Sequence, residues 1–113
     1  MNPELRESVL KLLRKPGRKA DMLIESHLGY PNGPGGCLPY TQDVETALTL
    51  LPEGVYFHCG RFAEGKLFWC DVGFRPQVQG WGETLAAAVA GAIFAYLTHP
   101  DVALPGSTQK KAY

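Results

Sequence analysis

The sequence has no excess of charge of either sign and no long apolar run. Eleven lysine and arginine residues balance eleven aspartate and glutamate residues, so the formal net charge is zero. A neutral chain has no overall field to attract a phosphate backbone or anionic lipids, which argues against general nucleic-acid binding. No stretch is long and apolar enough to span a bilayer, and residues 1–7 lack the apolar core of a signal peptide. We therefore expect a cytoplasmic protein that does not engage membranes.

Cysteine is scarce and poorly spaced for metal binding or for a disulfide framework. Cys37, Cys59 and Cys70 are odd in number and include no close-spaced pair. His58 and Cys59 are neighbours on a predicted strand, so their side chains point to opposite faces, whereas a zinc site needs four converging ligands. We expect reduced thiols, no metal and no cofactor, and a cross-strand bridge is the remaining alternative.

Catalytic signatures are also missing. The sequence has no Gly-x-Ser-x-Gly elbow, and residues 29–36 lack the lysine and hydroxyl residue of a phosphate-binding P-loop. His58 and Asp71 are predicted on adjacent strands, which we interpret as a surface hydrogen bond. The last helix begins with Glu83, where double-stranded-RNA-binding domains carry lysines. We therefore predict no catalytic residues and interpret the chain as a non-enzyme.

The elements that are present predict one α+β domain over residues 1–98. Apolar residues at helical spacing indicate a helical hairpin over residues 1–29, broken at Pro16-Gly17. Residues 30–40 hold three prolines and three glycines, so they form a loop. Residues 99–113 are expected to be a surface tail.

Residues 41–98 form the predicted helix, sheet and helix core. Thr41 is a candidate N-cap for a short helix. Strands are predicted over residues 55–62, 67–74 and, less regularly, 77–81, because these stretches are rich in β-branched and aromatic residues. The apolar helix 83–97 closes the domain. The predicted order is α-α-α-β-β-β-α, with a three-stranded antiparallel sheet. Apolar residues on both faces of the second strand predict helices on both faces of the sheet.

One segment resembles a known family. Leu38–Gly54, which reads Leu-Pro-Tyr-Thr-Gln-Asp-Val-Glu-Thr-Ala-Leu-Thr-Leu-Leu-Pro-Glu-Gly, is similar to the central helix entry of phage ABA sandwich domain proteins. Trp69 and Thr84–Leu97 fit the strands and the alanine-rich closing helix of that family, and Lys19–Tyr30 resembles the preceding helix. The resemblance implies an α-β-α sandwich in a small phage or prophage protein. It assigns no catalytic residues, because the family is largely without known function.

The candidate binding residues lie in the loop and beside it. Glycines can present backbone amides to an anion, and exposed aromatic rings can hold a base, although plain turn chemistry and a Trp81 that plugs the end of the sheet are the alternatives. The candidate residues are Tyr30, Asn32, Gly33, Gly35, Gly36, Tyr40, Thr41 and Trp81.

These observations leave three functions open. The first is a phage accessory protein that binds a host protein and counteracts host defence. The second is a sponge that sequesters a small anionic ligand such as a signalling nucleotide. The third is a small hydrolase. The edge at the third strand or the apolar last helix could also support a homodimer.

Overall fold

The computed structural model describes residues 2–28 and 37–102. Within them the predicted α+β class and the predicted order of elements are confirmed. The two strands predicted first are shorter than expected, and the third is shifted by one residue. The elements are α1 (Pro3–Leu13), α2 (Arg18–Leu28), α3 (Val44–Leu48), β1 (Phe57–Arg61), β2 (Phe68–Val72), β3 (Val78–Gly82) and α4 (Leu85–Leu97).

Short polar side chains set the beginnings of three helices. The Asn2 side chain accepts hydrogen bonds from the backbone N–H groups of Glu4 and Leu5, and Thr84 caps α4 in the same way. The N-cap of α3 is Asp43, so the prediction of Thr41 at this position is wrong. Asp43 accepts from both the hydroxyl and the amide of Thr46, which hold its pKa below the usual value.

The three strands form one antiparallel sheet in the order β1-β2-β3. Because side chains alternate along each strand, the register assigns every residue to one of two faces. Phe57, Val72 and Val78 share a row on the face that meets the helices. His58, Asp71 and Gln79 share the neighbouring row, on the opposite face. That opposite face is called the open face below.

Helix α4 is the centre of the domain. It packs against all three strands, while α1 and α3 pack on α4 in turn. Every residue of α4 except Leu85 and Tyr96 is buried, as expected of a helix that is apolar all round. The predicted second helical layer is not found among residues 2–28 and 37–102, since α4 alone makes the substantial helix contacts with the sheet and His58 and Gln79 are exposed on the other face. The open face carries aromatic side chains, among them His58 of β1 and Trp69 of β2.

Cys59 and Cys70 lie directly opposite each other on β1 and β2. Backbone hydrogen bonds from Gly73 N to Tyr56 O and from Phe62 N to Leu67 O identify these as hydrogen-bonded residue pairs. Hydrogen-bonded and non-hydrogen-bonded pairs alternate along antiparallel strands, so Cys59 and Cys70 form a non-hydrogen-bonded pair. The Cα atoms of such pairs are about 4.5 Å apart, within the range that a disulfide spans. The two residues are free thiols in this structure. Burial, followed by the neighbouring Cys59, raises the pKa of Cys70 to about 12.

We expect oxidised glutathione to link Cys59 to Cys70. The reaction converts two thiols into one disulfide and releases two reduced glutathione molecules. It should be slow, because Cys70 is fully buried and protonated at neutral pH, and a thiolate is the attacking species. Peptide mapping by mass spectrometry should find the linked pair, and Cys59→Ser should leave Cys70 unmodified. A bridge from Cys37 to either residue, with no Cys59–Cys70 product, would contradict the derived register.

Candidate functional site

Three of the eight predicted binding residues lie in the part of the chain that the structure describes. Tyr30, Asn32, Gly33, Gly35 and Gly36 lie outside the described residues. Tyr40 and Thr41 are buried, with 3% and 0% of their surface exposed. Trp81 is half-buried on the open face of the sheet. Among these three described residues, only Trp81 has a partly exposed side chain.

Thr41 belongs to a buried polar network that joins α2 to the segment before α3. Asp21, which is 1% exposed, accepts hydrogen bonds of 2.6 Å from both the amide and the hydroxyl of Thr41. It also accepts one of 2.7 Å from the side-chain amide of Gln42. The Thr41 hydroxyl oxygen accepts a further bond from Gly17 N. These contacts fix the packing of two chain segments, so Thr41 has a structural role here.

The surface that stands out is a line of aromatic rings along the open face. We call Phe74, Tyr56, His58, Trp69 and Trp81 the aromatic row. Phe74 stacks on Tyr56 with centroids 5.0 Å apart and an interplanar angle of 13°. Tyr56 lies 5.4 Å from His58, and His58 meets Trp69 edge-on at 5.2 Å. Trp69 is the register partner of Trp81, so the row crosses all three strands.

The row is exposed most at one end and covered at the other. Phe74 is 74% exposed and Tyr56 is 44% exposed. At the far end, the guanidinium carbon of Arg14 lies 3.5 Å from the centroid of the Trp81 ring, which is a cation–π contact. Trp81 is half-buried, and one face of its ring is covered by the guanidinium group of Arg14, the residue that follows α1.

Gly60 makes room for Trp69 within the row. A Cβ atom on Gly60 would come within 2.9 Å of the Trp69 ring, so the indole lies directly over the glycine backbone. Glycine is required there because any side chain would displace the ring. The cross-strand pairing of Gly60 with Trp69 thus lets the ring lie flat across β1.

A half-buried carboxylate stands beside the rings. Asp71 Oδ2 lies 3.4 Å from His58 Nε2, and its Oδ1 accepts a 3.0 Å hydrogen bond from the side-chain amide of Gln79. The Asp71 side chain is 18% exposed and that of His58 is 45% exposed. The predicted pairing of His58 with Asp71 on adjacent strands is confirmed. Asp71 places negative charge on this face, which disfavours a phosphate group there.

The open face combines exposed aromatic rings, one arginine and a half-buried carboxylate. Exposed aromatic rings, one arginine and a shielded carboxylate are typical of surfaces that bind another molecule through apolar contact. Within residues 2–28 and 37–102, no group of three histidine, cysteine, aspartate or glutamate side chains is placed to hold a metal ion. None of the helices in the described part of the chain combines the length and apolarity needed to cross a membrane.

Sequence reasoning identified parts of this face but not the row. Alternation along the predicted strand 55–62 places Tyr56 and His58 on the same face. The contribution of Phe74 depends on the chain reversal after β2, where Gly73 has φ +83°. The contribution of Arg14 depends on how α1 packs. Comparison of the chain with family models, with curated proteins and with solved structures gives no match.

Proposed function

We propose that this protein is a non-enzymatic binding protein that holds a partner protein against the aromatic row. The observation that carries the proposal is the exposed, mutually stacked pair Phe74 and Tyr56 on the open face of the sheet. Large aromatic residues left in water on a flat sheet face are unusual unless another surface covers them. Tyrosine, tryptophan and arginine are also the residue types that contribute most to protein–protein binding energy.

A protein partner suits this face better than a nucleotide. The carboxylate of Asp71 lies beside the row and repels phosphate, while Arg14 at the far end already stacks on Trp81. A protein surface can leave this carboxylate with the partners that it already has, because Asp71 contacts His58 and accepts a hydrogen bond from the side-chain amide of Gln79. The open face does not support the hydrolase hypothesis, because the contacts of His58 are with Asp71, Tyr56 and Trp69 and include no nucleophile.

The biological setting that we propose follows from the family resemblance over residues 19–97. In that setting the chain is a phage or prophage accessory protein in the host cytoplasm, its partner is a host protein, and binding counteracts a host defence. The resemblance alone supports this part of the proposal. The aromatic row supports binding, whatever the origin of the partner.

The test is a comparison of binding by the wild type and by the double variant Tyr56→Ala with Phe74→Ala. Proteins captured from a bacterial lysate are identified by mass spectrometry, purified and titrated against each variant by calorimetry. Loss of these two aromatic contacts should raise the dissociation constant at least about tenfold, because each such residue contributes on the order of 1–2 kcal/mol. Both side chains are exposed, so the variant should fold normally.

The matched control is Leu5→Ala, which removes an apolar side chain of similar exposure, 47%, from α1. It should bind as the wild type does. Equal affinity of the wild type and the double variant for the purified partner would remove the aromatic row from the binding site. A nucleotide released from freshly purified protein on denaturation, and able to stabilise the refolded chain, would favour the sponge hypothesis instead.

A further inference from the structure

A groove lies between α1 and α2, away from the aromatic row. It has a volume of about 370 Å³ and follows the bend at Pro16-Gly17. Its apolar lining comes from Leu12, Ala20 and Leu23, and its polar lining comes from Lys11, Lys15 and Lys19. Leu12 is 52% exposed, whereas Ala20 is buried at 3%. The groove therefore has an apolar floor and a rim of positive charge.

The positive charge of this rim is not apparent from the sequence, where acidic residues alternate with the basic ones. Two of those acidic residues, Asp21 and Glu25, point inward and are only 1% and 7% exposed. Asp21 accepts hydrogen bonds from Thr41 and Gln42, and Glu25 accepts one from the backbone of Leu38. Folding thus removes from the surface the carboxylates that balance the lysines along the chain.

The remaining acidic residues of the hairpin, Glu4 and Glu7, form no salt bridge with the rim. Glu7 lines a separate hollow with Arg14 and Trp81, toward the sheet. Glu4 lies in the first turn of α1, seven residues and about 10 Å of helix before Lys11. Among residues 2–28 and 37–102, the three lysines of the rim have no carboxylate within salt-bridge distance. Their charge is available to a partner.

The apolar floor continues along α2. Met22, which is 51% exposed, and Leu23 line an adjoining hollow of about 290 Å³. The α2 residues that line the two hollows run from Lys19 to Ser26, so the hollows together extend over about 10 Å, or roughly two helical turns. A groove between two helices accepts the ridge of side chains from a third helix.

We propose that this groove binds an acidic amphipathic helix of a partner protein. Leucine-like side chains at helical spacing would occupy the floor over Leu12 and Leu23, and flanking glutamates would face Lys11, Lys15 and Lys19. Charge complementarity selects the partner, because a basic helix would meet three unpaired lysines at close range. A flat lipid surface would not fill the concave floor, and a free phosphate ion would make no contact with the apolar side chains of the floor.

The test uses two synthetic peptides with the same leucine spacing, one with glutamates beside the leucines and one with lysines. Binding of each labelled peptide is measured by fluorescence anisotropy. We expect the acidic peptide to bind at least about tenfold more tightly than the basic one. Its affinity should fall between about 50 mM and 300 mM salt, because the pairing charges are solvent-exposed.

Charge reversal locates the site. The variant Lys15→Glu with Lys19→Glu should lose at least about tenfold in affinity for the acidic peptide. The control Lys66→Glu makes the same kind of change at an exposed lysine in the β1–β2 turn and should bind normally. Leu12→Ser should also weaken binding but leave its salt dependence unchanged, since it removes floor contact and no charge. If the charge-reversed protein does not fold, the neutral variant Lys15→Gln with Lys19→Gln replaces it, and this variant should also lose affinity for the acidic peptide.

Several results would overturn the proposal. The first is that the two peptides bind with equal affinity. The second is that the Lys66 variant loses as much affinity for the acidic peptide as the Lys15/Lys19 variant does. The third is that the acidic peptide does not bind at millimolar concentration. Binding of phosphatidylserine vesicles without binding of the acidic peptide would indicate a lipid surface as the partner. Because the aromatic row is unchanged in all of these variants, a failure here is distinguishable from a failure of the proposed partner binding at the open face.

Discussion

Replacing Gly80 with alanine is expected to destabilise the fold by about 3 kcal/mol, at the upper end of what overpacking a core costs. A Cβ atom at Gly80 would lie 2.7 Å from Ala92 Cα and 2.9 Å from the carbonyl carbon of Gly91, both of which are backbone atoms of α4. Backbone cannot rotate away as a side chain can. The helix would have to move off β3, and α4 is the element on which the sheet, α1 and α3 all pack.

Thermal unfolding followed by circular dichroism measures this effect. A loss of this size should lower the midpoint by roughly 10–20 °C in a domain of about 100 residues. The matched control is Gly91→Ala, because a Cβ atom at Gly91 would have no atom within 4 Å apart from its two chain neighbours and the backbone of its own helix. Alanine is favoured over glycine within a helix by about 1 kcal/mol, so this variant should be slightly more stable than the wild type. Equal midpoints for the two variants would rule out the close approach of α4 to β3.

Replacing Asp21 with alanine is expected to cost about 3 kcal/mol, because it leaves several buried donors without an acceptor. The amide and hydroxyl of Thr41 and the side-chain amide of Gln42 all donate to this carboxylate. Thr41 is fully buried, so water cannot replace the lost acceptor without opening the contact between α2 and the segment that precedes α3. Urea unfolding monitored by tryptophan fluorescence gives the free energy of unfolding for each variant.

A double-mutant cycle with Thr41→Val separates this network from the general loss of a polar residue. If the two groups act through each other, the double variant should lose clearly less than the sum of the single variants. Glu25→Ala is the comparison on the same helix, with a smaller loss expected because Glu25 accepts a backbone hydrogen bond from Leu38 and is slightly more exposed. Strict additivity in the cycle would contradict a direct contribution of the Asp21–Thr41 hydrogen bond.

The loss of Asp21 also bears on the groove. Asp21 faces inward from α2 while Lys19 and Leu23 face the groove, so Asp21→Ala changes the stability of the fold without changing the groove's charge. A variant that remains folded at low temperature should bind the acidic peptide as the wild type does. Stability and recognition on α2 are therefore separable by experiment.

The sequence by itself determined the class of the fold and the order of its elements. Apolar residues repeat at helical spacing in α1 and α2, and β1 and β2 are bounded by turn residues, so local periodicity was sufficient to place them. It was also sufficient for the pairing of His58 with Asp71, because a short hairpin connection fixes the register of two strands. These properties depend on neighbours along the chain.

Tertiary structure alone decided which surfaces are open and what charge they carry. Apolar residues on both faces of β2 predicted a second helical layer, but the rings of Trp69 and its neighbours occupy that face and leave Phe74 in water. Arg14 covers Trp81, and Asp21 and Glu25 are turned inward, which leaves the lysines of the groove unbalanced. Periodicity shows that a side chain lies on one side of its element. Only the packing of elements distant in sequence determines whether that side meets protein or solvent.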